Sequence, residues 1–427
     1  MRSTQEIKDS LKNGQYSDIL SYIYRTVNTQ KYADRYLEVI DEFEKTFGKT
    51  EELALFTAPG RTEIGGNHTD HQHGCVLAAS VNLDVIAAAR PNGTNQIRIQ
   101  SRNYKMDIID LDDLEIHEEQ FDKAIALIRG VVKKFVDLGY EVKGFDAYTI
   151  SNVLKGSGLS SSAAFEVLVG TIINGLFCDT EVKPVEIAKF GQYAENVYFG
   201  KPSGLMDQMA SSVGSVVAID FESTESPKIE RIDMNLQKYG HALCIIDSGA
   251  DHADLTDEYA TIPADMKEVA AFFGKNYLRE VNEDDFKKNI KEIREKINND
   301  RAVLRAMHFF RDNRYAQEEV AALKNDDFET FLKLNRMSGR SSYMYLQNVF
   351  APSMPKAQAV SLTLALCDEI LGDRGSYRVH GGGFAGTVQA FVPLDMLDDF
   401  KSKIEAVLGE GMCHILSIRP VGGYELK

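Results

Sequence analysis

The feature that most constrains the fold is a strand, a glycine-rich turn and a long apolar helix in direct succession. GFDAYTISNVL at 144–154 alternates like a half-buried strand, and AAFEVLVGTIINGLF at 163–177 is long enough for a buried helix. The run KGSGLSSSAA at 155–164 lies between them. Its glycines let backbone N–H groups converge, and the helix start adds free amides and a favourable dipole. The sequence therefore predicts a phosphate-binding turn.

This turn is not a Walker A loop, which requires GxxxxGK followed by Ser or Thr. Its three serines supply further hydroxyl donors and an oxygen able to bind Mg²⁺. The alternative interpretation is an ordinary Gly/Ser turn in which a serine caps the following helix.

Length and charge exclude several protein classes. A chain of 427 residues predicts two to three domains, and its 44% hydrophobic and 26% charged content excludes collagen and wholesale disorder. The 64 acidic and 48 basic residues, a formal charge of −16, argue against non-specific nucleic-acid binding and an anionic membrane surface. They do not exclude an anionic cofactor, because backbone amides bind phosphate in acidic proteins too.

The five cysteines are scattered and form no CxxC pair, which argues against a cysteine-type zinc site and favours a reducing compartment. The N-terminus has no apolar core of the signal-peptide kind, and no run of 18 apolar residues is present. We therefore expect a cytoplasmic protein.

The rest of the chain indicates an α/β fold. Residues 1–50 predict a helical extension whose stripe of apolar residues packs on the protein: Tyr32, Tyr36, Ile40, Phe43 and Phe47. LALFTAPG at 53–60 predicts a short strand ending in a Pro-Gly turn, 75–90 predicts one or two strands, and 414–418 predicts the last strand. A boundary near 220 gives domains at 51–221 and 222–427.

The segment RTEIGGNHTDHQHG at 61–74 gathers charged and imidazole side chains around glycines. His68, Asp70, His71 and His73 have the chemistry to ligate a transition metal. Alternatively, the segment hydrogen-bonds a hydroxyl-rich ligand while Arg61 meets a phosphate. A surface loop with incidental histidines is the third interpretation.

Two further segments combine glycines with polar residues. NVYFGKPSGLMDQM at 196–209 places Asp207 where a loop re-enters apolar sequence, with Glu195 twelve residues earlier at a helix end. Either carboxylate could instead be a cap or a solvated charge. HGGGFAG at 380–386 puts three consecutive glycines inside apolar sequence, which indicates close approach of a backbone or ligand, or a tight bend.

Together, and in this order, these segments resemble the motifs of the GHMP kinase family, most of all its galactokinase branch. GSGLSSSAA resembles the second family motif, HGGGFAG the third, and GLMDQ the segment that holds the catalytic aspartate. The resemblance extends from about residue 58 to 392. It implies a two-domain α+β fold, with an N-terminal domain like domain 2 of ribosomal protein S5 and a ferredoxin-like C-terminal domain.

The resemblance also implies an ATP- and Mg²⁺-dependent sugar 1-kinase that phosphorylates the anomeric hydroxyl of D-galactose. The alternatives are a 1-kinase for galacturonate or N-acetylgalactosamine, and a non-catalytic galactose- and ATP-binding sensor. The implied partners are a small sugar and ATP, with no nucleic acid or membrane, and the chain is expected to be a monomer or weak homo-oligomer.

Residue roles follow from the resemblance, position by position. Asp207 is the base or orienter for the sugar hydroxyl, and Arg61 stabilises the transferring phosphoryl group. Ser162, with Ser161 as an alternative, and Glu195 hold Mg²⁺. The residues implied to bind the ATP phosphates are Gly156, Ser157, Gly158, Leu159, Ser160, Ser161, Ser162 and Ala163. Those implied to contact the sugar are Asn67, His68, Asp70, Gly204, Asp207 and Tyr259. Tyr259 is the last residue of the segment DSGADHADLTDEY at 247–259.

The chain departs from the galactokinase pattern mainly where the sugar is recognised. The pattern reads GRVNLIGEHTDY, whereas this chain reads GRTEIGGNHTDH, with Asn67 in place of Glu and His71 in place of Tyr. Leu154 replaces a Pro, Ser203 replaces a Cys, and Ile262 replaces an Arg. Because the phosphoryl-transfer residues are intact, kinase chemistry is predicted more firmly than the sugar.

Overall fold

The structure, a computed structural model, describes residues 1–154, 158–250 and 255–427. The α-helices in these ranges are α1 (Thr4–Lys12), α2 (Ser17–Tyr24), α3 (Gln30–Phe47), α4 (Ala124–Asp137), α5 (Ser161–Phe177), α6 (Pro184–Tyr193), α7 (Met206–Val213), α8 (Thr256–Phe272), α9 (Glu283–Ile297), α10 (Asp300–Lys324), α11 (Phe328–Ser341), α12 (Ala359–Leu371) and α13 (Leu397–Leu408). Two π-helical turns cover Ala194–Phe199 and Ser342–Leu346.

The strands in the same ranges are β1 (Ala54–Gly65), β2 (Cys75–Pro91), β3 (Gln96–Ser101), β4 (Asp107–Asp110), β5 (Phe145–Ser151), β6 (Val216–Asp220), β7 (Lys228–Ile232), β8 (His241–Asp247), β9 (Ser376–Val379), β10 (Thr387–Pro393), β11 (Cys413–Leu416) and β12 (Tyr424–Leu426). They form two sheets, so the predicted α/β class is confirmed.

The larger sheet has the order β12-β1-β2-β5-β3-β4, and β6 pairs with both β2 and β7. Its central strand β2 is a single strand that is buried on both faces. Ala87 and Ala89 pack into the main core, whereas Ile86 and Ala88 face the N-terminal helices. Burial on both faces explains why this segment is apolar without alternation.

The N-terminal helices cover one face of that sheet. Tyr36, Ile40 and Phe43 on α3 are fully buried, and they share a hydrophobic cluster with Leu55 of β1 and Ile86 of β2. The predicted packing role of the stripe on this helix is thereby confirmed.

The predicted Pro-Gly turn at 59–60 is wrong, because β1 continues to Gly65. The register with β2 shifts between Pro59 and Arg61, so a bulge replaces the turn. A bulge tolerates a proline, which has no N–H for the ladder. At Gly60 an added Cβ would lie 2.8 Å from the carbonyl oxygen of Leu159, so a glycine is needed where β1 meets the serine-rich turn.

The smaller sheet has the order β11-β8-β10-β9 and is antiparallel throughout. The predicted last strand is β11, but the chain then returns to pair β12 with β1 in the larger sheet. β7 also belongs to the larger sheet, and the boundary at 221/222 stays a prediction. Of the helices in the described ranges, none has both the length and the hydropathy to cross a membrane.

Candidate active site

The site is centred on a bidentate ion pair between Arg61 and Asp207, which are 146 positions apart. Arg61 follows the bulge in β1, and Asp207 lies in the first turn of α7. Arg61 Nε donates to Asp207 Oδ1 and Nη2 donates to Oδ2, both at 2.6 Å. Arg61 Nη1 donates to the carbonyl of Gly158, and its backbone N–H donates to that of Leu159 at 2.9 Å. Arg61, at the start of the segment 61–74, therefore contacts both the serine-rich turn and Asp207.

This pairing keeps the Asp207 carboxyl ionised. Burial acts to raise its pKa, but the Arg61 guanidinium and hydrogen bonds from Arg61 and Ser160 outweigh burial, and the pKa is lowered from its usual value. The side chain keeps 29% of its surface exposed, so a ligand can reach it. Asp207 thus presents a fixed negative charge at an accessible position.

The described part of the serine-rich turn leads directly into α5. Ser160 precedes the helix with a left-handed backbone (φ 54°), and Ser161 and Ser162 form its first turn, half-buried. Leu159 and Ala163 are fully buried and anchor the turn in the core. Among the described residues no side chain caps this helix, which leaves its first amides available to an anion. Gly156 and Ser157 lie outside the described residues.

Glu195 lies in a π-helical turn, a geometry that is frequent at functional sites. It is 3% exposed. Its Oε2 accepts from the hydroxyl of Ser203 at 2.7 Å and from Gln208 Nε2 at 2.8 Å, and its Oε1 pairs with Lys201 Nζ at 3.0 Å. Since Gln208 is adjacent in sequence to Asp207, these bonds tie the Glu195 carboxylate to the start of α7.

His68 presents an unsatisfied acceptor. Its Nε2 lies 2.9 Å from the carbonyl oxygen of Gly382, which can only accept, so Nε2 carries the proton. Its Nδ1 is buried and has no hydrogen-bond partner within the described ranges. Burial, together with neighbouring His71, lowers the pKa of the His68 imidazole to about 4. His68 is therefore a neutral ring whose Nδ1 lone pair receives no hydrogen bond from the described residues.

We expect the His68 ring to stay neutral as pH falls from 8 to about 5, because its pKa lies near 4. In a histidine NMR titration, its ring resonances should not shift over this range, and the variant His68→Gln assigns them by their disappearance. A midpoint near 6.5 for these resonances would contradict the neutral assignment.

Asp70 and Gly204, two of the predicted sugar contacts, are neighbours. A Cβ added to Gly204 would lie 3.4 Å from Asp70 Oδ2, so the segment before α7 passes beside this carboxylate. His71 Nε2 lies 3.8 Å from Asp70 Oδ1 and is half exposed. Within the described residues no three His, Cys, Asp or Glu side chains form a group able to hold a metal ion, so the transition-metal interpretation gains no support.

Asn67 is fully buried, and protein groups use the whole hydrogen-bonding capacity of its side chain. Its Nδ2 donates to Glu63 Oε1 at 3.0 Å and to the carbonyl of Gly381 at 2.7 Å. Its Oδ1 accepts from Asn348 Nδ2 at 2.9 Å and from Ser342 Oγ at 3.2 Å. Its role as a sugar contact stays a prediction.

The glycine-rich segment 380–386 packs against the other motifs rather than forming a surface bend. The Tyr259 hydroxyl donates to the carbonyl of Gly383 at 2.9 Å, and a Cβ at Gly382 would lie 2.5 Å from the Tyr259 ring. His380 Nε2 lies 3.0 Å from the hydroxyl of Thr62, and a Cβ at Gly158 would lie 3.1 Å from the His380 ring. The glycines therefore mark close approach, one of the two interpretations the sequence left open.

The structure also brings in four side chains to which sequence reasoning assigned no role. Glu63 lies within the segment 61–74, and Arg378 precedes the glycine-rich segment 380–386. Lys201 lies between Glu195 and Asp207 in sequence, and Asn348 follows a π-helical turn. The first three stand within or next to recognised motifs, which was a usable signal. Nothing in the sequence around Asn348 points to the site.

Two family descriptions match the chain. The description "Galactokinase galactose-binding signature" matches residues 41–91, which include Arg61 and the histidine-rich segment. The description "GHMP kinases N terminal domain" matches residues 126–215, which include the serine-rich turn, Glu195 and Asp207. Both matches fall on the segments that meet at the site.

Similar proteins and structures agree with these matches. The chain is 31% identical to a galactokinase of Glaesserella parasuis serovar 5 over 370 residues, covering 85% of this chain and 91% of that protein. It is also 31% identical to a galactokinase of Actinobacillus pleuropneumoniae serotype 5b, and the match covers 82% of this chain and 88% of that protein. The galactokinase of Lactococcus lactis complexed with galactose superposes with a TM-score of 0.74 at 23% identity, covering 90% and 98%. A mevalonate kinase superposes with a TM-score of 0.58 at 16% sequence identity, and the match covers 86% of this chain and 99% of that structure. The predicted two-domain fold is thereby confirmed.

Proposed function

Because the chain belongs to the galactokinase family, we propose that it transfers the γ-phosphoryl group of ATP to the anomeric hydroxyl of D-galactose. The observation that carries the proposal is the Arg61–Asp207 ion pair, which lies between the serine-rich turn and the His68–Asp70 segment. The turn accounts for ATP phosphates, and the segment supplies the directional hydrogen bonds that a sugar needs.

In the proposed reaction, the anomeric oxygen attacks the γ-phosphorus as the bond from phosphorus to the β–γ bridging oxygen breaks. The hydroxyl proton passes to the Asp207 carboxylate. Because Arg61 lowers the pKa of Asp207, this carboxylate is a weak base that mainly orients the hydroxyl and takes its proton late. Arg61 offsets negative charge on the transferring group, and positioning supplies most of the rate.

The residues proposed to hold Mg²⁺ fit that ion by donor type. Ser162 offers a hydroxyl and Glu195 a carboxylate, the oxygen donors that Mg²⁺ prefers beside substrate phosphates. The Glu195 carboxylate is already held by Ser203 and Gln208, while Lys201 occupies its other oxygen. When bound, Mg²⁺ neutralises charge on the ATP phosphates.

We expect Glu195→Gln and Ser162→Ala each to raise the Mg²⁺ concentration needed for half-maximal activity, because each removes one of the few protein ligands that Mg²⁺ keeps. Excess Mg²⁺ should partly restore the rate. Glu186→Gln is the control, since Glu186 is an exposed carboxylate on the neighbouring α6. Superimposable Mg²⁺ titrations for all four proteins would contradict the ligand assignment.

The test of the function is ATP consumption with a panel of sugars: D-galactose, galacturonate and N-acetylgalactosamine. D-galactose should give the highest kcat/KM, and galactose 1-phosphate should be identified as product by NMR. Preference for either other sugar would contradict the galactose assignment but keep the kinase. Galactose binding without ATP consumption would indicate a sensor.

We also propose a cytoplasmic location, because Cys75, Cys178, Cys244, Cys367 and Cys413 are buried free thiols, as is usual in a reducing compartment. The expected monomer or weak homo-oligomer stays a prediction that light scattering can test.

A further inference from the structure

Asn67 connects the sugar-binding segment to the rest of the protein by its main chain as well as its side chain. Its backbone N–H donates to Asp312 Oδ2 at 2.6 Å, and its carbonyl oxygen lies 2.8 Å from His308 Nε2. Both partners are fully buried on α10. With the four side-chain bonds described above, every polar atom of Asn67 has a partner. The position of His68, the next residue, therefore depends on this network.

The carboxyl group of the network that pairs with an arginine is that of Glu63, and burial raises its pKa to about 7. Its Oε1 accepts from Asn67 Nδ2 and, at 2.6 Å, from Arg378 Nη2. Arg378 is fully buried, and it also donates through Nη1 to the carbonyl of Ile64. Within the described ranges, Glu63 is the only carboxylate in an ion pair with Arg378. The carboxylate at 63 and the carboxamide at 67 thus share one arginine.

The same two positions are exchanged relative to the galactokinase pattern. Aligning GRVNLIGEHTDY with GRTEIGGNHTDH puts Asn opposite Glu63 and Glu opposite Asn67. The chain therefore keeps one carboxylate and one carboxamide but swaps their places. Because Glu has one methylene more than Asn, the swap leaves the total side-chain length unchanged, and each order keeps a single carboxyl group at these two positions.

We propose that Glu63 and Asn67 are an exchanged carboxylate–carboxamide pair that positions the sugar-binding segment of this kinase, so that the two residues determine sugar affinity together rather than separately. This inference rests on the proposed function. Both are positioning residues: Glu63 acts through Arg378 and Asn67, and Asn67 acts through His68.

The physical reason for coupling is that either single exchange breaks the charge balance. Asn67→Glu adds a further carboxyl group beside the buried Glu63 and Asp312, and acidic groups that close together repel when ionised. Glu63→Asn leaves the buried Arg378 without its carboxylate partner. The double exchange restores one carboxyl group and one carboxamide at positions 63 and 67, and leaves Asp312 and Arg378 unchanged.

The test is a double-mutant cycle on the full chain with four proteins: wild type, Glu63→Asn, Asn67→Glu and the double variant. KM for D-galactose and for ATP, and the affinity for D-galactose by calorimetry, are measured on each. We expect each single exchange to raise KM and Kd for D-galactose at least about tenfold and the double variant to return to within about threefold of wild type. KM for ATP should stay within about twofold throughout, because Glu63, Asn67 and Arg378 form no hydrogen bond with the described residues of the turn before α5.

Two results would overturn the proposal. One is a double variant whose loss of binding free energy for D-galactose equals the sum of the losses of the two single variants. The other is a set of four proteins with equal galactose affinity, even if their unfolding midpoints differ, because the pair would then act on stability alone. Failure of the proposed function is distinguishable, since wild type itself would then phosphorylate no sugar.

Solubility and the unfolding midpoint are measured for each variant, so that the test also has an outcome when a single variant does not fold. Insoluble single variants together with a soluble, galactose-binding double variant support the exchange. An insoluble double variant alongside soluble single variants overturns it.

Discussion

Replacing Asp207 with Asn should lower kcat by about 10²–10⁴-fold, the usual contribution of a positioned general base. Asn matches the shape of Asp and can still accept one hydrogen bond from Arg61, so the fold should survive. It cannot take the hydroxyl proton, and it leaves the Arg61 guanidinium without its counter-charge. Steady-state kinetics with D-galactose measure the effect, and the unfolding midpoint shows that the protein is folded.

Asp395→Asn is the matched control. Asp395 also forms an ion pair with an arginine, Arg374, at 2.7 Å, but both side chains are more than half exposed. Loss of that pair should leave kcat unchanged. If Asp207→Asn keeps a kcat close to that of wild type, Asp207 takes no part in the proton transfer.

The site could be predicted from sequence as far as its motifs are local. The serine-rich turn and the first residues of α5 are contiguous, so strand, turn and helix could be ordered from periodicity alone. The pairing of Arg61 with Asp207 spans 146 positions, and that of Glu63 with Arg378 spans 315. Such contacts depend on sheet topology, which periodicity does not contain. Only the family resemblance linked Arg61 to Asp207.

In the fold, too, local features could be predicted from the sequence, whereas features that depend on a distant strand could not. The burial of the apolar stripe on α3 could be predicted, because the helical spacing of its apolar residues is visible in the sequence. The bulge at Pro59 and the return of β12 were missed, since both depend on the neighbouring strand. A Pro-Gly pair indicates a turn unless a partner strand and the carbonyl of Leu159 lie against it. Three residues of β12 are too few to show alternation.

The buried carboxylate of Asp84 should be highly sensitive to substitution, although it lies outside the site. It accepts hydrogen bonds from Tyr24 Oη at 2.5 Å, Thr57 Oγ1 at 2.6 Å, Arg35 Nη1 at 2.7 Å and Arg419 Nη1 at 3.0 Å. These partners come from α2, β1, α3 and the segment between β11 and β12. One side chain on β2 therefore fastens the N-terminal helices and the C-terminal segment to the larger sheet.

We expect Asp84→Asn to lower the free energy of unfolding by about 3–5 kcal/mol at pH 7, because it leaves the buried Arg419 and the largely buried Arg35 facing a neutral group. Urea or thermal unfolding measures the loss. Asp300→Asn is the control, since Asp300 forms an exposed pair with Arg294 and should change stability little. A change at Asp84 as small as that of the control would show that the network does not hold these segments together.

The pH dependence of the same variant gives a second check with a definite sign. Burial acts to raise the pKa of the Asp84 carboxyl, but Arg35, Arg419, Thr57 and Tyr24 outweigh it, so the folded-state pKa is lowered. A lowered pKa means that the carboxylate stabilises the fold fully above the unfolded-state value, about 3.9, and that this stability is lost as pH falls through the folded-state pKa. The stability difference between wild type and Asp84→Asn should therefore be constant from pH 8 to about 5 and shrink below pH 4. A difference that grows on acidification would mean that Asp84 is protonated in the folded protein and that the two arginines are balanced by another group.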